Sequence, residues 1–258
     1  MTSALPFPNG KIAVVSITRH GIALAGKVVG ALAGATLFAP EKFRAEAEAA
    51  APGAAVCYAG KTGDQIPALF AAFDGIVAIV SLGAMVRLVA PHLKNKEQDP
   101  GVVVVDEAGR FAIPMLSGHL GGANALAGAL GLALGATPVL TTASDSRQTL
   151  AVDLLGRELG WTLEADHDTL VLAAAAVVND APVALVQEAG SADWWSGHAN
   201  GRSGPRPANV ALFSRLEDLD PAAYAAVLWV SPRAMPSELV PVLAAKTITY
   251  RTPAESQP

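Results

Sequence analysis

Apolar positions along this chain fall into two rhythms. Residues 11–18 (Lys-Ile-Ala-Val-Val-Ser-Ile-Thr) and 75–82 (Gly-Ile-Val-Ala-Ile-Val-Ser-Leu) are apolar runs of strand length. The second is continuous where a half-exposed strand would alternate, which marks a strand covered on both faces, as in a parallel sheet between helix layers. A short strand is predicted at 35–39, and helices at 22–32, 41–50, 66–73 and 83–90, the last stopped by Pro91. Next comes Gly101-Val102-Val103-Val104-Val105, ending in Asp106-Glu107; Ala108-Gly109 then turns the chain into a second strand over 110–116. That strand delivers a glycine-rich octet, Ser117-Gly118-His119-Leu120-Gly121-Gly122-Ala123-Asn124, which opens an Ala- and Leu-rich helix over 123–134.

The second half repeats the alternation less clearly. It predicts a strand over 138–145, a helix over 152–160 with Asp153 and Arg157 as an i,i+4 pair and Gly160 as C-cap, and a change of unit at Trp161. A helix at 168–178, a turn at Asn179-Asp180 and a strand at 182–187 follow. Residues 197–209 read as a long exposed loop, 210–213, 226–230 and 247–250 as short strands, and 251–258 as a tail. The expected fold class is α/β: two Rossmann-like three-layer units with mostly parallel sheets, over 1–145 and 146–258.

Composition narrows the functions. A net charge of −5 without any Lys/Arg cluster argues against nucleic acid. The single cysteine, Cys57, forms no internal disulfide, and no Cys/His spacing suits zinc, which fits a reducing cytoplasm. Residues 1–10 lack the basic-then-apolar order of a signal peptide. Residues 111–144 carry no Asp, Glu, Lys or Arg, yet six glycines and prolines interrupt 121–138, so a buried helix is expected there and no membrane span. Two phosphate signatures fail. Gly-x-Gly-x-x-Gly is missing after the first strand, and six residues separate Gly53 from Gly60-Lys61-Thr62 where a P-loop needs four.

The octet carries the clearest chemistry. Backbone amides in a helix's first turn lack intrahelical partners and sit at the positive end of its dipole, so an anion or developing oxyanion would be welcome. Glycines 118, 121 and 122 allow close approach, His119 moves a proton near neutral pH, and Asn124 orients a carbonyl or hydroxyl. Bland readings stand beside these: His119 as a packed or capping histidine, the glycines as turn formers, Asp106 and Glu107 as solvent-facing turn residues, Asp145 as an N-cap. Arg87 and His92 lie where open α/β sheets bind ligands, and Arg87 suits a carboxylate clamp. Lys94 and Lys96 read as a solvated loop. Trp194 and Trp195 either stack on a ligand or fill a domain contact, and His20, His167 and His198 show no partner in sequence.

Five separated segments, in order, are similar to one known family: Gly83-Ala84-Met85-Val86-Arg87 with Ala90-Pro91, residues 96–100, Val104-Val105-Asp106-Glu107, residues 116–124, and Thr141-Thr142-Ala143-Ser144-Asp145. They resemble the N-terminal module of the cobalt-precorrin-5A hydrolase (CbiG-type) family of cobalamin biosynthesis; residues 160–250 resemble its middle region loosely, chiefly around 177–188. The resemblance implies hydrolysis of the ring-A δ-lactone of a tetrapyrrole (corrinoid precursor), with release of acetaldehyde. It implies His119 as general base, Gly121 and Gly122 as oxyanion donors, Glu107 or Asp106 in proton transfer, Asp145 as a further catalytic group, and Arg87, Ser117, Gly118, Asn124, Thr141 and Thr142 as substrate contacts. No cofactor and no metal of the protein's own is implied. The family's full-length members have a further C-terminal module, so a separate C-terminal CbiG-like subunit or a precorrin methyltransferase is the implied partner. A non-catalytic module holding the corrinoid for that methyltransferase is the alternative.

Overall fold

Both faces of the first strand are dry. In β1 (Ile12–Ser16) every residue is buried. Ile12 and Val14 join one apolar cluster, while Ala13 and Val15 join another on the opposite face. This is what continuous apolarity predicts when helices cover both sides of a sheet. The computed structural model describes residues 5, 7, 10–96, 98–195 and 205–253. By internal contacts the chain divides into two units, Met1–Thr141 and Thr142–Pro258.

In the first unit, β1 is followed by α1 (Arg19–Ala31), β2 (Ala35–Pro40), α2 (Arg44–Ala50), β3 (Ala55–Tyr58), α3 (Ile66–Ala72), β4 (Gly75–Ile79), α4 (Leu82–Val89), β5 (Gly101–Val105), β6 (Phe111–Leu116), α5 (Ala123–Leu134) and β7 (Thr137–Pro138). The sheet order is β3-β2-β1-β4-β5-β6-β7. Strands β1 to β5 are parallel; β6 runs antiparallel to β5, and β7 parallel to β6. The four valines of β5 are buried to 2% exposure or less. Each contributes roughly 1.5–3 kcal/mol by leaving water. Pro114 lies opposite Val103, where the β5–β6 register shifts; β7 pairs only with Phe111 and Ala112, so Pro114's missing N–H breaks no further ladder.

The second unit contains α6 (Ala143–Ser146), β8 (Thr162–Glu164), α7 (His167–Val178), β9 (Val183–Gln187), β10 (Val210–Phe213), β11 (Ala226–Val230), α8 (Val240–Leu243) and β12 (Thr247–Arg251). Its sheet order is β10-β9-β11-β12-β8, with β8 the antiparallel edge. Val183 and Leu185 face a cluster with Trp161, Trp194, Trp195 and Tyr250, while Ala184 and Val186 face another around Trp229.

Several sequence expectations change. The first run stops at Ser16 because Thr18 caps α1, which therefore begins at Arg19. The strand expected over 138–145 is reduced to Thr137–Pro138, and Ala143–Ser146 is helical; Pro138 donates nothing to a ladder. The helix expected over 152–160 is a set of turns ending in a 3-10 turn at Arg157–Leu159. Gly156 has φ +70°, and a Cβ there would stand 2.0 Å from the Trp161 ring, so the helix breaks and Trp161 packs inside the second unit. Strands β3 and β8 were not expected. Part of the 197–209 loop (residues 197–204) and the tail from 254 lie outside the described residues. α5 is 12 residues long, and among the described residues no helix is long and apolar enough to cross a membrane.

Two stability predictions follow from this packing. A Cβ on Gly101 would stand 2.3 Å from the Gly121 carbonyl oxygen and 3.0 Å from the Ala123 nitrogen, both backbone. Gly101→Ala should therefore lower unfolding stability by about 2–4 kcal/mol, read from urea midpoints. In the second unit Glu188 accepts from Arg233 Nε and Nη2 at 2.8 and 2.6 Å and from the Leu216 N–H at 3.0 Å. Burial pushes its carboxyl up, but the Arg233 and Leu216 hydrogen bonds outweigh this and hold it at about 2. A carboxyl lowered in the folded state stabilises above its ordinary value, near 4.5, and that stability fades as pH falls toward 2. Glu188→Gln should cost roughly 2–3 kcal/mol at pH 7 and flatten the loss of stability between pH 4.5 and 2.

Candidate functional site

The pairing of β5 with β6 decides which candidate residues can meet. Val105 pairs with Ala112 and Val102 with Leu116, so the hairpin closes at the carboxyl edge of the parallel strands and the octet emerges at their amino edge. Gly101 abuts Gly121 there. Five residues of β5, about 3.3 Å each, therefore separate Asp106 and Glu107 from the His119 loop by roughly 15 Å. One bond cannot be served by both ends.

At the carboxyl edge, Asp106 is spent on the hairpin. Its Oδ1 accepts the Arg110 and Phe111 N–H groups, both at 2.7 Å, and its Oδ2 accepts Arg110 Nε at 3.2 Å. Burial raises its carboxyl, but the Phe111 amide and the Arg110 groups prevail and hold it below the ordinary carboxylate value. This is a clasp, in which the carboxylate expected to transfer protons is engaged by the hairpin's own donors. Glu107 is exposed and accepts a hydrogen bond from Thr18 Oγ1. Thr18, the N-cap of α1, also accepts from the Gly21 N–H at 3.0 Å. Beside it the Ser16 hydroxyl is buried with no hydrogen-bond partner among the described residues, packed where a Cβ on Gly21 would come within 2.5 Å of it.

Strand β1 has β2 on one side and β4 on the other, so the chain reverses its direction of travel across the sheet between β1 and β4. In open α/β sheets ligands bind outside the carboxyl ends at such a point. Helices α1 and α4 both begin at this edge, straight after β1 and β4. Arg87 is exposed in α4 and turns back along it, Nη1 donating to the Gly83 carbonyl at 3.0 Å, so its guanidinium lies by the helix's first turn.

At the amino edge the octet largely satisfies itself. Gly122 N–H bonds the His119 carbonyl at 3.0 Å, Ala123 N–H the Ser117 carbonyl at 3.2 Å, and Asn124 N–H the Gly118 carbonyl at 2.9 Å. Gly122, at φ +79°, is the N-cap of α5. Its amide, expected to be an oxyanion donor, here donates within the loop. His119 is half-buried. Ser117 holds φ +53° and a buried Oγ without a hydrogen-bond partner among the described residues. The carboxamide of Asn124 lies 2.8 Å from where a Cβ on Gly118 would stand. A cavity of about 390 Å³ in the same unit is lined by Phe70, Pro91, His92, Lys94 and Asp99 among others, and Asp99 accepts the Lys94 N–H.

Thr141 is exposed at the end of the first unit. Thr142 and Asp145 belong to the second unit, where Thr142, the N-cap of α6, donates its hydroxyl to the Asp145 carboxylate. Trp194 and Trp195 are not ligand-stacking loop residues: both are buried, edge to face at 6.3 Å, with Trp194 Nε1 donating to Gln187 Oε1 at 2.9 Å. His198 lies outside the described residues.

Comparison with known proteins adds the family. The model "Cobalamin synthesis G N-terminal" matches residues 64–145 and "Cobalamin biosynthesis central region" matches 150–245. The chain carries the N-terminal and central domains of the CbiG family. It is 37% identical over 230 residues to a cobalt-precorrin-5A hydrolase of Priestia megaterium, covering 89% of this chain and 59% of that protein. A cobalt-precorrin-5A hydrolase of Salmonella typhimurium is 38% identical over 148 residues, covering 57% of this chain and 40% of its own. The chain thus spans about three-fifths or less of the length of these CbiG relatives. A cobalamin biosynthesis protein G homologue from Sulfolobus solfataricus shares the fold, with a TM-score of 0.50 and 19% identity over 97% of this chain and 63% of that one.

Thr18 is the residue that sequence reasoning missed. It was read as the end of the first strand, and its partner lies 89 positions away. A threonine between an apolar strand and a helix is an N-cap signal, but only the β1–β4–β5 order brings Glu107 to it. The two acidic neighbours separate experimentally. Asp106→Ala should lower unfolding stability by about 1–3 kcal/mol by orphaning the hairpin amides, whereas Glu107→Gln should change it by less than about 0.5 kcal/mol, both by urea denaturation.

Proposed function

We propose that this CbiG-family chain acts in cobalamin biosynthesis by hydrolysing the ring-A δ-lactone of cobalt-precorrin-5A in the cytoplasm. The observation that supports the assignment of the site is the Thr18–Glu107 hydrogen bond at the carboxyl edge between β1 and β4, the edge at which α4 also begins, with Arg87 folded back on its first turn, and at which open α/β sheets bind ligands.

Lactone opening needs a base for water, and the substrate's carboxylate arms need cations. Glu107 takes the proton from water as hydroxide equivalent adds to the lactone carbonyl; collapse breaks the acyl–oxygen bond, leaving a carboxylate and an alcohol on the former bridging carbon. Removal of that hydroxyl proton lets the carbon–carbon bond to ring A break, its electron pair passing into the macrocycle as acetaldehyde departs. Arg87 and the first turns of α1 and α4 supply positive potential for the arms.

A second reading keeps His119 as the base at the amino edge. It is favoured by the left-handed Ser117 and its buried hydroxyl, which has no hydrogen-bond partner among the described residues, since backbone strain and unsatisfied groups gather at functional sites.

Acetaldehyde release from cobalt-precorrin-5A tests both, with the chain alone and with the C-terminal portion of the Priestia megaterium relative added. Glu107→Gln should lower kcat at least about 100-fold, and His119→Ala by less than about threefold. The reverse ranking transfers the reaction to the amino edge. Tight corrinoid binding with no acetaldehyde from either preparation would make the chain a holding module instead.

A further inference from the structure

We infer that Thr18 is the positioning residue for Glu107, an inference that rests on Glu107 being the proton-moving carboxylate. Thr18 sits in extended backbone, φ −126° and ψ 156°, at the start of a 13-residue helix. Its Oγ1 accepts the Gly21 N–H at 3.0 Å, so its one O–H is left to donate, and it donates to Glu107 Oε1. A hydroxyl that accepts from an amide is polarised into a better donor. Branching at Cβ and the capping bond together fix the direction of that O–H.

Glu107 has no comparable constraint of its own. It is exposed on a hairpin turn, and its side chain has three torsions to order. The cations nearest it in sequence or on α1 are engaged elsewhere: Arg19 Nε pairs with Glu46 at 3.0 Å, and Arg110 with Asp106 at 3.2 Å. Thr18 thus ties the end of β5 to the positive end of α1 and holds one carboxylate oxygen, leaving the other to face substrate. Gly21 is part of the device, because a Cβ there would stand 2.9 Å from Thr18 Oγ1 and 2.5 Å from Ser16 Oγ.

Three substitutions separate the cap from the donor. Thr18→Ser keeps both, Thr18→Asp keeps the capping acceptor but offers Glu107 no proton, and Thr18→Val keeps the shape and loses both. Steady-state acetaldehyde release should show kcat reduced about tenfold in Thr18→Val and at least that in Thr18→Asp, with KM within about twofold and Thr18→Ser near wild type. Thr18→Asp should melt at the wild-type temperature, so its loss of turnover is not a loss of fold. In a Glu107→Gln background, Thr18→Asp should lower the residual rate no further. Wild-type kcat in Thr18→Asp, or an equal loss in the Glu107→Gln background, overturns the role of Thr18 alone. Wild-type turnover by Glu107→Gln, or no release by the wild-type chain, overturns the proposed function and this inference with it.

Discussion

The Asp106 clasp is the constraint on which the layout of the first unit depends. Five strands advance in parallel, each return made by a helix or loop; then one carboxylate gathers the Arg110 and Phe111 amides and the Arg110 side chain, and the sixth strand runs back beside the fifth. That reversal has two consequences. It leaves Glu107 standing at the carboxyl edge, in reach of the α1 cap, and it carries the glycine-rich octet to the other end of the sheet.

Two acidic residues side by side in sequence therefore take different tasks because their partners differ. Asp106 is half-buried, accepts three donors and is held ionised by them, so it has little freedom to exchange a proton with a ligand. Glu107 is exposed and accepts one hydroxyl. The second unit shows the same logic in structural form: Glu188 with Arg233 and the Leu216 amide is a half-buried, hydrogen-bonded pair at the end of β9, suited to holding loops together.

Much of this architecture was legible in the residues. The continuous apolar run at β4 signalled burial on both faces, and Gly101 through Leu116 signalled a hairpin whose turn is where it was expected. What could not be read was the consequence of antiparallel pairing for the site. His119 and Glu107 are 12 residues apart in sequence, and only the register of Val102 with Leu116 shows that a strand's length lies between them. The octet was legible as a helix start, but its amides looked available because the carbonyls of Ser117, Gly118 and His119, which accept them, have no sequence signature. The Gly156–Trp161 break has no sequence signature either: the Asp153/Arg157 spacing and Gly160 favour a helix, and only the Trp161 ring packed against Gly156 shows why the chain turns there.

The family relationship rests on both domains together, and the proposed function adds a place to it: a corrinoid reacting at the carboxyl edge between β1 and β4. A crystal structure of the chain with the ring-opened corrinoid product bound is the most direct test. The account predicts macrocycle density over the starts of α1 and α4, with a carboxylate arm on Arg87 and the Glu107 carboxylate facing ring A. Density seated instead against the Ser117–Gly122 loop, with the β1–β4 crevice holding only solvent, would contradict it.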